Sequence, residues 1–248
     1  MDTPAAAAAW DAEYAAGRYR GEPPAGFARD VAVGGDLAAA LASRASRRAA
    51  ATRGPETREW ATMTSTALLI MDVQQGIVER FAGDEGYLPR LAAAATTARA
   101  AGIGVIYVTV AFRAGYPEVS ERNKTFAAIA GTGRFADGDP GARVHPAVAP
   151  APGDVIVTKR RVSAFAGSDL DVLLRASGAS HLVLAGIATS GVVLSTVRQA
   201  ADLDYRLTVL ADGCLDADPE VHQVLLQKVF PRQAEVTTIA GWTAGLRA

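Results

Sequence analysis

The run His181-Leu-Val-Leu-Ala-Gly-Ile187, and the small hydroxylated stretch Ala188-Thr-Ser-Gly-Val192 that interrupts it, constrain this chain more than any other segment. Beyond His181 the run carries no polar side chain. Such a run reads as a strand covered on both faces, the condition of a strand inside a parallel sheet. A helical pattern begins at about Gly191, with Val193, Val197 and Ala200 on one face and Ser195 and Arg198 on another. A strand ending in a tight turn that opens a helix aims backbone N–H groups into the crevice at the sheet's carboxyl edge.

The same alternation recurs from Thr66 onward. Strands are expected over Thr66–Met71, Ile103–Val110, Asp154–Thr158, Tyr205–Ala211 and Glu235–Ile239. Helices are expected over Tyr87–Ala101, closed by Gly102, over Ser168–Ser177 with a Ser-x-x-Asp start, and over Pro219–Phe230. Phe112 to Val144 is long and irregular, which in a compact domain marks a site wall or lid. Repeated β-α-β units predict an α/β fold: a three-layer α/β/α arrangement around an open, six-stranded, mainly parallel sheet. Residues 63–248 form this domain. Residues 1–62, poor in Ile, Leu and Val clusters, read as a loosely ordered or docking extension.

Half of the 248 residues are hydrophobic and the formal net charge is −1, which argues for a soluble globular protein and against a nucleic-acid footprint. One cysteine excludes an internal disulfide or a multi-cysteine zinc site and fits a reducing, cytoplasmic setting. No apolar run approaches the roughly 18 residues a membrane span needs, so no membrane partner is expected. The start of the chain lacks a basic n-region, which argues against a signal peptide.

Three strand ends can act together. Asp72 comes after the first strand, Lys159 closes the third, and the Thr189–Val192 turn succeeds the fourth. A carboxylate, a cation and a row of amide donors would converge at one sheet edge, although each alone is an ordinary turn, surface or cap residue.

Three ordered stretches carry a resemblance: Leu69-Ile-Met-Asp72-Val-Gln-Gln75, Lys159-Arg-Arg-Val-Ser-Ala-Phe165, and Gly186-Ile-Ala-Thr-Ser-Gly-Val-Val-Leu-Ser-Thr196 with Arg198. Ala211-Asp-Gly-Cys214 adds a fourth. Together they resemble the isochorismatase-like hydrolase superfamily, also called the cysteine hydrolases. The resemblance implies Asp72 as acid/base, Lys159 as its electrostatic partner, and a non-proline cis peptide at Ile187–Ala188. It also implies an oxyanion hole from the Ala188 and Val192 amides, and a homodimer or homotetramer. Phe165 matches a family aromatic near the pocket mouth, with core packing as the alternative reading. Phe81, Phe112 and Thr189 are further candidates for contact with substrate.

The family's nucleophilic cysteine falls at Val192, which has no nucleophilic group. Cys214 lies after the fifth strand and reads as an inert thiol. None of the three histidines, His145, His181 and His222, falls in a matched motif, so no catalytic metal and no cofactor are expected. The main expectation is a hydrolase acting without a covalent cysteine on a carbonyl or enol-ether substrate. Two alternatives stand beside it: a ligand-binding or scaffold protein that has lost the nucleophile, and a non-hydrolytic proton-transfer enzyme.

Overall fold

The structure, a computed structural model, describes residues 64–81 and 84–246; the extension expected over residues 1–62 lies outside the described residues. Six strands, β1 (Thr66–Met71), β2 (Gly104–Val110), β3 (Val155–Lys159), β4 (His181–Ile187), β5 (Arg206–Leu215) and β6 (Glu235–Thr237), form one sheet in the order β3-β2-β1-β4-β5-β6. Every pairing is parallel. The chain builds outward from β1 through β2 to β3, then returns to the other side of β1 for β4. That reversal opens a crevice at the carboxyl ends of β1 and β4, where open α/β sheets place ligands.

Strand alternation divides the core into two layers. Ala67, Leu69 and Met71 of β1 face one hydrophobic cluster, with Ile106, Val157, Leu182 and Leu184. Helices α4 (Leu170–Ser177) and α5 (Leu194–Asp202) close it through Leu170, Leu174, Val197 and Ala200. Leu68 and Ile70 face the opposite cluster. There α2 (Tyr87–Ala100) buries Tyr87, Leu91, Ala94, Ala95 and Ala98, and α7 (Ile239–Gly245) adds Ile239 and Trp242. The remaining helices are α1 (Gln75–Val78), α3 (Lys124–Thr132) and α6 (Pro219–Val224).

Several boundaries differ from expectation, each for a local reason. The long segment after Phe112 has its own order. The Asn123 side chain accepts a hydrogen bond from Phe126 N and starts α3, and Gly133, at φ +71°, ends it. Helix α4 begins at Leu170. Asp169 makes no capping bond, while Ser168 Oγ accepts from Leu170 N and donates to Ala164 O, so the Ser-x-x-Asp pattern acts through its serine. Strand β5 runs on to Leu215 because the register shifts past Leu184, letting Cys214 pair with Gly186 and Leu215 with Ile187. The helix predicted over Pro219–Phe230 is regular only to Val224. It widens into a π turn over Leu225–Val229 and tightens over Phe230–Arg232, around Pro231, which has no N–H to donate. Thr238 caps α7 through Gly241 N and ends β6 at Thr237.

Candidate active site

Asp72 leaves β1 with a left-handed backbone, φ +57°, while its N–H still donates to Val108 O at 2.8 Å. Gln74, fully buried two residues on, fixes this exit. Its side chain accepts from Val110 N and donates to Val110 O and Ala142 O, tying the ends of β1 and β2 to the long segment. On β3, Lys159 shares a face with Val155 and Val157. The structure brings the two expected residues together: Lys159 Nζ lies 2.9 Å from Asp72 Oδ2, with Lys159 2 % and Asp72 6 % exposed. Lys159 Nζ also donates to Arg161 O at 3.0 Å.

A buried ion pair loses hydration on both sides, and here burial outweighs attraction at the carboxylate. Burial pushes the Asp72 carboxyl above its ordinary range, with the charge and hydrogen bond of Lys159 opposing the shift. Asp72 Oδ1 is buried and has no hydrogen-bond partner among the described residues.

The turn after β4 is wide. Ile187–Ala188 is a cis peptide, and Thr189–Val193 forms a π turn in which Gly191 takes φ −98°, ψ −105°. Gly191 N and Val193 N both donate to Ala188 O. Gly186 is required for this approach. At φ +153°, a Cβ there would stand 2.2 Å from Met71 O. Val192 is 2 % exposed and packs in the cluster that holds Met71, Phe165 and Cys214. Cys214 is buried within β5, and burial pushes its thiol up to about 12.

Three residues expected against substrate lie in the interior. Phe112 packs with Phe126 and Phe135 in a small core of the long segment, its ring 5.5 Å from that of Phe126. Phe165 is buried 6.1 Å from the Tyr205 ring. Thr189 is fully buried. Apolar rings with no polar atom to satisfy complete the nearest core, and a buried hydroxyl turns to nearby hydrogen-bond partners. Phe81 is half-buried against the cluster that includes α2.

Sequence reasoning missed two residues. Thr189 Oγ1 donates to Leu215 O at 3.1 Å and lies 2.8 Å from His222 Nδ1, so a histidine does reach a hydroxyl of the matched motif. Buried and committed to a carbonyl, that hydroxyl is no nucleophile. Ser190 N donates to Asp216 Oδ2 at 2.6 Å. The available signal was topological: β4 and β5 are neighbours, so the segment after β5 lies beside the turn after β4.

Arg160 and Arg161, which follow Lys159, are tied internally. Arg160 Nε pairs with Glu118 Oε1 at 3.2 Å, and Arg161 donates to Glu118 O and Arg160 O. They line an open groove of about 860 Å³ with Ile156 and Thr158, on the face of β3 opposite Lys159. No group of three or more His, Cys, Asp or Glu side chains among the described residues could hold a metal ion. No described helix is long and apolar enough to cross a membrane.

Comparison with known proteins identifies the family and the fold. The model of the isochorismatase domain matches residues 66–241. The ureidoacrylate amidohydrolase RutB of Stutzerimonas stutzeri is 32% identical over 211 residues, covering 75% of this chain and 81% of that protein. The uncharacterized isochorismatase family protein YecD of Escherichia coli is 32% identical over 187 residues, covering 71% and 93%. Among solved structures, a cysteine hydrolase from Pseudomonas syringae pv. phaseolicola superposes with a TM-score of 0.69 at 24% identity, over 74% of this chain and 92% of that one, a likeness of fold. The three motifs, the six-stranded parallel sheet and the matched domain together make this chain a member of the isochorismatase family of hydrolases.

Proposed function

We propose that the chain hydrolyses a small carbonyl substrate without a covalent cysteine intermediate, using Asp72 as general acid/base on a water molecule. The observation that carries this reading is Asp72 Oδ1, an acceptor buried without a partner beside the Lys159 pair. A buried acceptor left unmatched costs about 1–3 kcal/mol, which a reacting O–H or N–H recovers. Water adds to the carbonyl carbon and gives its proton to Asp72, and the carbonyl oxygen becomes an oxyanion. The carbon–leaving-group bond then breaks and Asp72 returns the proton to the leaving atom. The charge and hydrogen bond of Lys159 oppose the upward push of burial on the carboxyl and favour the ionised form that accepts the proton. The Ala188 and Val192 amides hold the oxyanion, a role worth about 3–4 kcal/mol per donor in such sites. Val192 stands at the family's nucleophile position and contributes packing only. The ureidoacrylate amidohydrolase relative makes a ureido or amide carbonyl the first class to test, ahead of an enol ether.

The test is turnover of ureidoacrylate, N-carbamoyl amino acids, simple amides and an enol ether by the full chain, with intact-protein mass spectrometry alongside. Asp72→Asn keeps shape and loses proton transfer, so the expected rate falls by about 10²–10⁴-fold. A trapped acyl adduct on the wild-type protein, or an Asp72→Asn variant of undiminished rate, overturns the mechanism. Binding without turnover across the panel would make the chain a ligand-binding protein.

A further inference from the structure

The turn that offers the Ala188 and Val192 amides is held from outside by two side chains of the segment after β5. His222, on α6, meets Thr189 Oγ1 through Nδ1 at 2.8 Å. The Thr189 hydroxyl has a single hydrogen; given to Leu215 O at 3.1 Å, it leaves Oγ1 to accept from a His222 ring protonated on Nδ1, the arrangement assigned here. Asp216 accepts from Ser190 N at 2.6 Å through Oδ2, and its other oxygen accepts from Asp218 N at 3.3 Å. Asp218 in turn caps α6 through Glu220 N and Val221 N. The two bonds grip successive residues, Thr189 and Ser190, at the mouth of the π turn.

We propose that His222 and Asp216 are positioning residues, which hold the Ala188–Val193 turn in the shape that lets its amides meet a developing oxyanion. This rests on the reading of the turn as an oxyanion hole. The physical argument is preorganisation. Donors stabilise an oxyanion best when they need not reorganise as charge appears. A π turn with a non-helical glycine has few bonds of its own to keep it in one shape. Burial lowers the His222 pKa, with Asp216 opposing, which favours the neutral ring at neutral pH. Its Nδ1–H persists in the protonated ring as well, so this bond survives protonation.

The experiment has one arm that needs no substrate. Nitrogen NMR of the full chain should show the Nδ1–H tautomer of His222; an Nε2–H tautomer overturns its part of the clamp. Amide hydrogen exchange at Ser190–Val193 should accelerate about fivefold or more in His222→Leu and Asp216→Ala, the scale of one lost hydrogen bond. His222→Asn places an amide N–H where Nδ1 stands and should restore slow exchange, whereas His222→Gln should not. Asp216→Asn keeps the acceptor and should also restore it. Unchanged exchange in both truncations, or equal rescue by Asn and Gln, overturns the proposal. The second arm is kinetic, on whichever panel compound the wild type turns over. His222→Leu should lower kcat by a similar factor with KM little changed, the mark of an interaction made in the transition state. A wild type inert to every compound counts against the proposed reaction alone, since tautomer and exchange still decide the clamp.

Discussion

Lys159 and Asp72 pose a question of sign at the scale of single residues. Attraction favours the charged carboxylate and burial opposes it, and burial is the larger influence. The sequence could place both residues at one sheet edge, but it could not say how much water the edge excludes. Cys214 shows the same limit. Its spacing argued for an inert thiol, and the structure supplies the cause, a buried thiol pushed up to about 12. The native chain should therefore gain no mass from iodoacetamide at neutral pH, where the reactive thiolate is scarce. Val192→Cys puts a thiol in the turn that opens α5, where helix amides lower its pKa against the burial that this position shares with Cys214, and this variant should be alkylated more readily than Cys214. Rapid labelling of the wild type at Cys214, or an inert Val192→Cys, would contradict this account.

At the scale of elements, strands were the most legible. The apolar runs gave β1 and β4 to the residue, because a buried parallel strand has no solvent face to blur its pattern. Helix ends and the long segment were less legible, since Asn123, Ser168 and Thr238 act through bonds to backbone amides that hydrophobic spacing does not register. The candidate site divides the same way. Asp72 and Lys159 are read from strand ends, whereas His222 and Asp216 come from a segment whose neighbour is set by strand order. Gly186 joins both levels, because β4 passes β1 too closely there for any side chain. Gly186→Ala should cost about 3 kcal/mol or more, as backbone rather than a flexible side chain must move. Chemical denaturation gives the value, and a loss below about 1 kcal/mol would mean that the strands separate easily.

For the whole molecule, pH and truncation are the informative variables. Burial lowers the pKa of both His181 and His222 from the ordinary 6.5. The unfolded chain then takes up protons before the folded one, so their contribution is intact above about pH 6.5 and declines as pH falls. Urea unfolding at about pH 7.5 and about pH 5.5 should show less stability at the lower value. His181→Asn and His222→Asn should each shrink that difference, and a difference unaffected by either variant would assign it elsewhere. Both hydrophobic layers of the described sheet are built from residues after Thr66, and the family match begins there too. A chain of residues 63–248 should therefore melt cooperatively within a few degrees of the full protein. An aggregated or non-cooperative product would make residues 1–62 part of the fold. The central pairing has a consequence during synthesis. Thr66 of β1 aligns with His181 of β4, 115 residues later. At ribosomal speeds of about 5–20 residues per second, β1 waits roughly 6–23 seconds for that neighbour to emerge. For that interval the nascent chain carries an open, apolar strand edge of the kind that captures other chains.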